Sequence, residues 1–273
     1  MSVFQFFSLK TAVGLVLLGW LGFFMSDANI SSGFLSTDFA QTQTAPAPAD
    51  LEGAWQLLSP AAGKNQTATV VKTLADGFFS VAHFDKAGKK FLGTYGGTYT
   101  LSEGKFQGKF EFHTFDSTKV GQSILGTVKK QNGAWQLTLP GEAQASQTWV
   151  KGKEKTARSP LAGAWRISHR LGQDGQLRPM VQGPRKTIKI LSGDRFQWIA
   201  FNSETAAFSG TGGGTYTAQD GKYTEHIEFF SRDSSRVGMQ ITFNFEMKDG
   251  RWQHTGQSST GSPVHEVWQR LAQ

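Results

Sequence analysis

The chain has no cysteine among its 273 residues. Disulfides, thiolate metal sites, a cysteine nucleophile and a lipidated cysteine anchor are therefore excluded. Proline is scarce, with 8 residues against 32 glycines, which suits tight strand connections better than a disordered chain. The 6 histidines form no H-x-H or H-E-x-x-H spacing, so no metal is expected, and no G-x-S-x-G elbow marks a serine nucleophile. The net charge of +7 is spread along the chain, with no basic run interleaved with aromatics. It reads as a solvated exterior, and no nucleic-acid partner and no cofactor are expected.

Long apolar runs are also missing. AVGLVLLGWLGFFM at 12–25 is 14 residues long and follows Lys10. That is short of the roughly 20 residues of a spanning helix and matches the apolar region of a signal peptide. Ser26 and Ala28 supply the small-residue spacing of a cleavage site, so 1–28 is expected to direct export to the periplasm or medium. The alternative is an uncleaved membrane anchor over 3–25, with Lys10 snorkelling to the interface. Residues 29–50, ending in QTQTAPAPAD, read as an extended polar Pro/Ala linker.

What the sequence does have is a repeat. GTGGGTYT at 210–217 lacks the spacing of a dinucleotide fingerprint or a P-loop, and β-formers rather than a helix follow it. The same stretch occurs as GTYGGTYT at 93–100. Sliding the chain by 117 residues over 72–136 gives 24 identities in 65 positions, including Lys72/Lys189, Tyr99/Tyr216, Glu111/Glu228 and Trp135/Trp252. LEGAW at 51–55 matches LAGAW at 161–165, and Trp149 matches Trp268. The chain is an internal duplication, with domains expected at 51–152 and 161–273 joined by a linker at 153–160.

Short alternating segments separated by SGD, QDGK, KDGR and LSEGK predict an all-β fold with antiparallel hairpins, closed within each repeat. The glycine cluster then reads as a bent or bulged strand. Period two places Phe106, Phe110 and Phe112 on one face of KFQGKFEFH, and Tyr223, Glu225, Ile227 and Phe229 on the matching face of KYTEHIEFF. Glu225 is then an inward carboxylate opposite Gly108 of the first copy, and Glu228 points outward. In HEVWQRL, Glu266, Trp268 and Arg270 share a face; Gln147, Trp149 and Lys151 do so in the first copy. Phe196 and Phe201 have opposite parity, which leaves the face of Trp198 open. A polar site in the second copy would contain Trp198, Tyr223, Glu225, Glu266, Trp268 and Arg270. The alternative is a structural set, with Glu266 paired to Arg270 and Glu225 bonded to a tyrosine.

Gly53-x-Trp55 and Gly163-x-Trp165 resemble the G-x-W that opens the first strand of lipocalins and the wider calycin group. The resemblance implies that Arg270 packs on Trp165 and Lys151 on Trp55. KILSGDRFQWIAF, GTGGGTY, GKYTEHIEFF and HEVWQRL together resemble a lipocalin-like domain of unknown function in bacterial secreted or membrane-associated proteins. This implies two tandem antiparallel lipocalin-like β-barrels able to hold a small ligand. Three readings follow. The first is an exported protein binding a small, mainly apolar ligand in the second barrel. The second is a non-catalytic cell-envelope interaction or structural module with filled barrels. The third is a calycin-type enzyme in which Glu225 and Glu266 converge for acid–base work.

Overall fold

The computed structural model describes residues 48–59, 68–131, 133–139, 146–152 and 158–271. The expected signal or anchor segment at 1–28, most of the 29–50 linker and 153–157 lie outside the described residues. Pro48–Leu51 form one helical turn that leads into the first strand and buries Leu51. Among the described residues no helix is long and apolar enough to cross a membrane.

Eight antiparallel strands close the first barrel: β1 (Gly53–Ser59), β2 (Thr69–Ala75), β3 (Phe78–Asp85), β4 (Lys90–Ser102), β5 (Lys105–His113), β6 (Ser123–Gln131), β7 (Ala134–Thr138) and β8 (Ser146–Lys151). Each pairs with the next, and β8 returns to β1. The second barrel repeats this order with β9 (Gly163–Leu171), β11 (Arg185–Ser192), β12 (Arg195–Asn202), β13 (Phe208–Gln219), β14 (Lys222–Phe230), β15 (Gln240–Lys248), β16 (Arg251–Gln257) and β17 (Pro263–Arg270), closed by β17 on β9. A short β10 (Leu177–Pro179) continues the pairing at the far end of β9. Both copies are thus closed antiparallel barrels. Among the described residues, closure pairs both edges of every barrel strand, and only the short β10 keeps an outer edge.

The glycine stretch bends a strand, as the sequence predicts. In β13 the register with β14 shifts between Gly213 and Gly214, and in β4 the register with β5 shifts between Gly96 and Gly97. A Cβ at Gly214 would collide with the His226 carbonyl, and one at Gly97 with the Lys109 carbonyl. Only glycine lets the bulged backbones approach so closely.

The bulge corrects one expectation from strict alternation. Phe110 and Ile227 remain inside their barrels, but Phe112 and Phe229 turn to the outer face beyond the shift. There they help to build the junction between the barrels, together with Phe78, Phe84, Ile188, Ile199 and Phe201. Glu228, expected to face outward, is buried at this junction and pairs with Lys86 at 2.7 Å and with Arg195. Its counterpart Glu111 pairs with Lys186 of the second barrel at 2.5 Å. The opposite parity of Phe196 and Phe201 reflects burial of both faces of β12: Phe196 lines the barrel interior and Phe201 the junction.

Candidate functional site

The G-x-W tryptophans close the base of each barrel. Trp55 Nε1 donates to the Leu51 carbonyl at 2.9 Å, and Trp165 Nε1 to the Leu161 carbonyl at 2.9 Å. Trp55 meets Trp135 edge-on at 6.0 Å, and Trp165 meets Trp252 at 5.8 Å. The Lys151 ammonium lies 5.6 Å over Trp55, and the Arg270 guanidinium 5.1 Å over Trp165, the packing that the resemblance implies. Arg270 also donates to the Ala162 carbonyl at 2.7 Å and pairs with Asp76 of the first barrel at 2.9 Å. The structure therefore places Arg270 on a tryptophan and at the junction. Its carboxylate partner is Asp76, not Glu266.

The remaining candidates meet in the interior of the second barrel. Tyr223, Glu225 and Trp268 are buried there, and Trp198 lies half-buried against Phe230 at 5.5 Å. Two further groups that sequence reasoning did not assign join them. Lys189 Nζ is 2.9 Å from Glu225 Oε1, in a pair buried on both sides. Its ammonium also lies 5.0–5.2 Å over the rings of Tyr223, Trp252 and Trp268. His254 is buried beside Phe243, with Nδ1 3.4 Å from Glu266 Oε2. Glu266 also accepts from Arg170 at 3.0 Å and from the Trp268 indole at 3.2 Å.

These contacts set the protonation states. Burial pushes Glu266 up, but His254, Lys189 and Arg170 outweigh it and hold the carboxyl at about 2. Burial pushes His254 below the ordinary imidazole range, against the pull of Glu266. Burial, then the Glu225 charge, drives the Tyr223 hydroxyl well above the usual tyrosine range. The cluster pairs Lys189 with Glu225 and Arg170 with Glu266 in an aromatic lining, with His254 held towards its neutral form beside them. A signal for Lys189 was present in the sequence: it is a charge inside the apolar run IKIL, repeated at Lys72.

The first barrel keeps the lysine and both tryptophans, as Lys72, Trp135 and Trp149, but replaces the carboxylates and the histidine. Gly108 stands opposite Tyr99 where Glu225 stands opposite Tyr216, and Leu137, Gly126 and Val128 occupy the places of His254, Phe243 and Phe245. Lys72 remains, and with these smaller neighbours a cavity of about 20 Å³ opens beside it. Trp55, Leu74, Phe106, Val128 and Trp149 help to line it. Burial lowers the Lys72 ammonium to about 7. Among the described residues no group of three or more His, Cys, Asp or Glu side chains could hold a metal.

Residues 160–273 match the model of a domain of unknown function, DUF4488. No curated protein matches the chain. Among solved structures, the uncharacterized protein YLR301w from Saccharomyces cerevisiae is similar at 14% identity and a TM-score of 0.44, over 80% of this chain and 98% of that one. A mutant of the vaccine antigen Transferrin Binding Protein B from Haemophilus parasuis is similar at 11% identity and a TM-score of 0.21, over 75% of this chain and 60% of that one.

Proposed function

We propose that the chain is an exported, lipocalin-like, non-catalytic interaction module whose barrel interiors leave no room for a bulky ligand and which acts through its outer surface. The observation that carries this reading is the state of the two inward carboxylates. Glu225 is held by Lys189, and Glu266 by Arg170 and His254. A ligand or substrate using Glu225 would have to displace the buried Lys189, leaving a charge unpaired at a cost of several kcal/mol, and at Glu266 it would have to compete with the half-exposed Arg170. The void inside the first barrel, about 20 Å³, is also far below the roughly 300–1,000 Å³ of sites that enclose small molecules.

The outer surface offers more room. A groove of about 560 Å³ runs between β9 and the segment before β11, lined by Arg166, Arg170, Arg185 and Lys186, with Met180 and Val181. Val181 is 90% exposed. With Lys186 held by Glu111 and Arg170 by Glu266, it is Arg166, Arg185 and the exposed apolar side chains that suit an acidic partner surface bearing an apolar anchor. Export rests on Lys10, the 12–25 run and the Ser26-x-Ala28 spacing.

The test is to purify the native protein from its host without detergent and extract small molecules after denaturation. No stoichiometric compound is expected, and the mature N-terminus should begin after Ala28. A stoichiometric compound that disappears in the Glu225→Gln, Glu266→Gln double variant would replace this reading with ligand binding in the second barrel.

A further inference from the structure

Lys72 and Lys189 hold one position in two barrels. Lys72 faces Trp55 across β1–β2, and Lys189 faces Trp165 across β9–β11. Both are buried, at 8% and 4% exposure. Lys189 is neutralised by the Glu225 carboxylate, which β14 supplies from within the same barrel. In the first barrel the equivalent position on β5 is Gly108, and no carboxylate among the described residues forms an ion pair with Lys72. Its ammonium rests 4.0 Å over the Trp149 ring. An aromatic face attracts a cation but does not neutralise it.

Lys72 also borders the cavity, and the other lining side chains are apolar. At about 20 Å³ this space seats a group little larger than a water molecule. One buried cation, an apolar wall and a small vacancy together describe a receptor that lacks its counter-charge. The second barrel shows which group completes it.

We propose that the interior of the first barrel is a small-anion site, in which a one-carbon carboxylate from solution neutralises Lys72 as the Glu225 side chain neutralises Lys189. The tryptophan walls exclude bulky anions, and the single positive charge selects a monovalent one. Binding requires the ammonium form. Affinity therefore falls about tenfold per pH unit once the lysine of the free protein loses its proton. The two copies then differ in kind: the second barrel carries its counter-ion in the chain, and the first takes it from solution.

Formate is the probe, with pivalate at equal ionic strength as the bulky control. The full chain, labelled with ¹³C at the lysine Cε, is titrated by NMR with each anion, and its thermal unfolding is followed in parallel. Formate should raise the Lys72 titration midpoint by about one unit or more, a tenfold or greater gain in proton affinity. It should also raise the unfolding temperature near pH 6.5, while pivalate does neither. The formate effect on unfolding should vanish in Lys72→Met, which keeps the apolar volume. A wild-type Lys72 midpoint indifferent to formate overturns the site. So does an equal formate effect on unfolding in wild type and Lys72→Met.

Discussion

Phe84 of the first barrel stacks on Phe229 of the second with ring centroids 4.9 Å apart. Shifting each residue to its counterpart in the other copy turns this pair into Phe201 and Phe112, which meet at 5.0 Å. The junction is therefore built from one patch used twice, as in the isologous interface of a two-fold dimer. Gln197 bridges the copies: its Nε2 donates to Thr94 at 2.9 Å and to Thr211 at 3.0 Å, the same threonine in each repeat. Two barrels joined in this way should unfold as one unit.

That coupling is measurable. Phe84→Ala and Phe229→Ala should each cost about 3–5 kcal/mol, the usual range for a buried phenylalanine. The pair should couple by about 0.5–1.5 kcal/mol in a double-mutant cycle. Calorimetry should show one transition for the wild type and two for the double variant. Separate transitions in the wild type would refute the shared junction.

In the second barrel, Glu225→Gln strands Lys189 in the core and should destabilise by about 3–5 kcal/mol in denaturant unfolding. Replacing both partners by apolar residues, as in Lys189→Met with Glu225→Leu, should be close to neutral. A mild Glu225→Gln variant would show that water reaches the cluster.

Lys72 makes stability rise with alkali. Its folded value of about 7 lies below the unfolded 10.5, so above pH 7 the unfolded chain binds more protons than the folded one. The unfolding free energy should climb by up to about 1.4 kcal/mol per pH unit from 7 towards 10. Beyond that, Tyr99, which burial holds well above the ordinary tyrosine range, and Tyr216, raised to about 12, act in the opposite direction, because the unfolded chain ionises first. In Lys72→Met the rise between pH 7 and 10 should be absent.

His83 gives an acid limb. Burial, then the neighbouring His113, lowers it from 6.5 to about 4, while its ring packs on Phe115 at 5.1 Å. The unfolded chain takes up the proton first as pH falls, so stability should drop between pH 6.5 and 4. His83→Phe should remove that part of the drop in an acid titration followed by tryptophan fluorescence.

Gly214→Ala drives a methyl group into the His226 carbonyl and should abolish the β13 bulge. A loss of more than about 2 kcal/mol is expected, with near-ultraviolet dichroism changed as Phe229 leaves the junction. The exposed Gly261→Ala, at a φ of +79° with open space around it, should cost only about 1 kcal/mol.

Much of this architecture can be read in the chain. The 117-residue repeat, the alternation in KFQGKFEFH and the G-x-W openings lead to two closed antiparallel barrels and to their tryptophan bases. Alternation reports that a face is buried but not what buries it. Phe110 and Phe112 share one parity, yet a bulge sends the first into the barrel and the second into the junction. The candidate site divides in the same way. Glu225 is identifiable as an inward carboxylate from its neighbours in β14. Its partner Lys189 lies 36 residues away on a strand that is not adjacent to it. Pairing of that kind is fixed by how the barrel closes. The sequence by itself determines the duplication, the strand class and the inward carboxylate Glu225. Tertiary structure alone decides which charges neutralise one another, because ion pairing depends on distance across the barrel and local pattern contains no such distance.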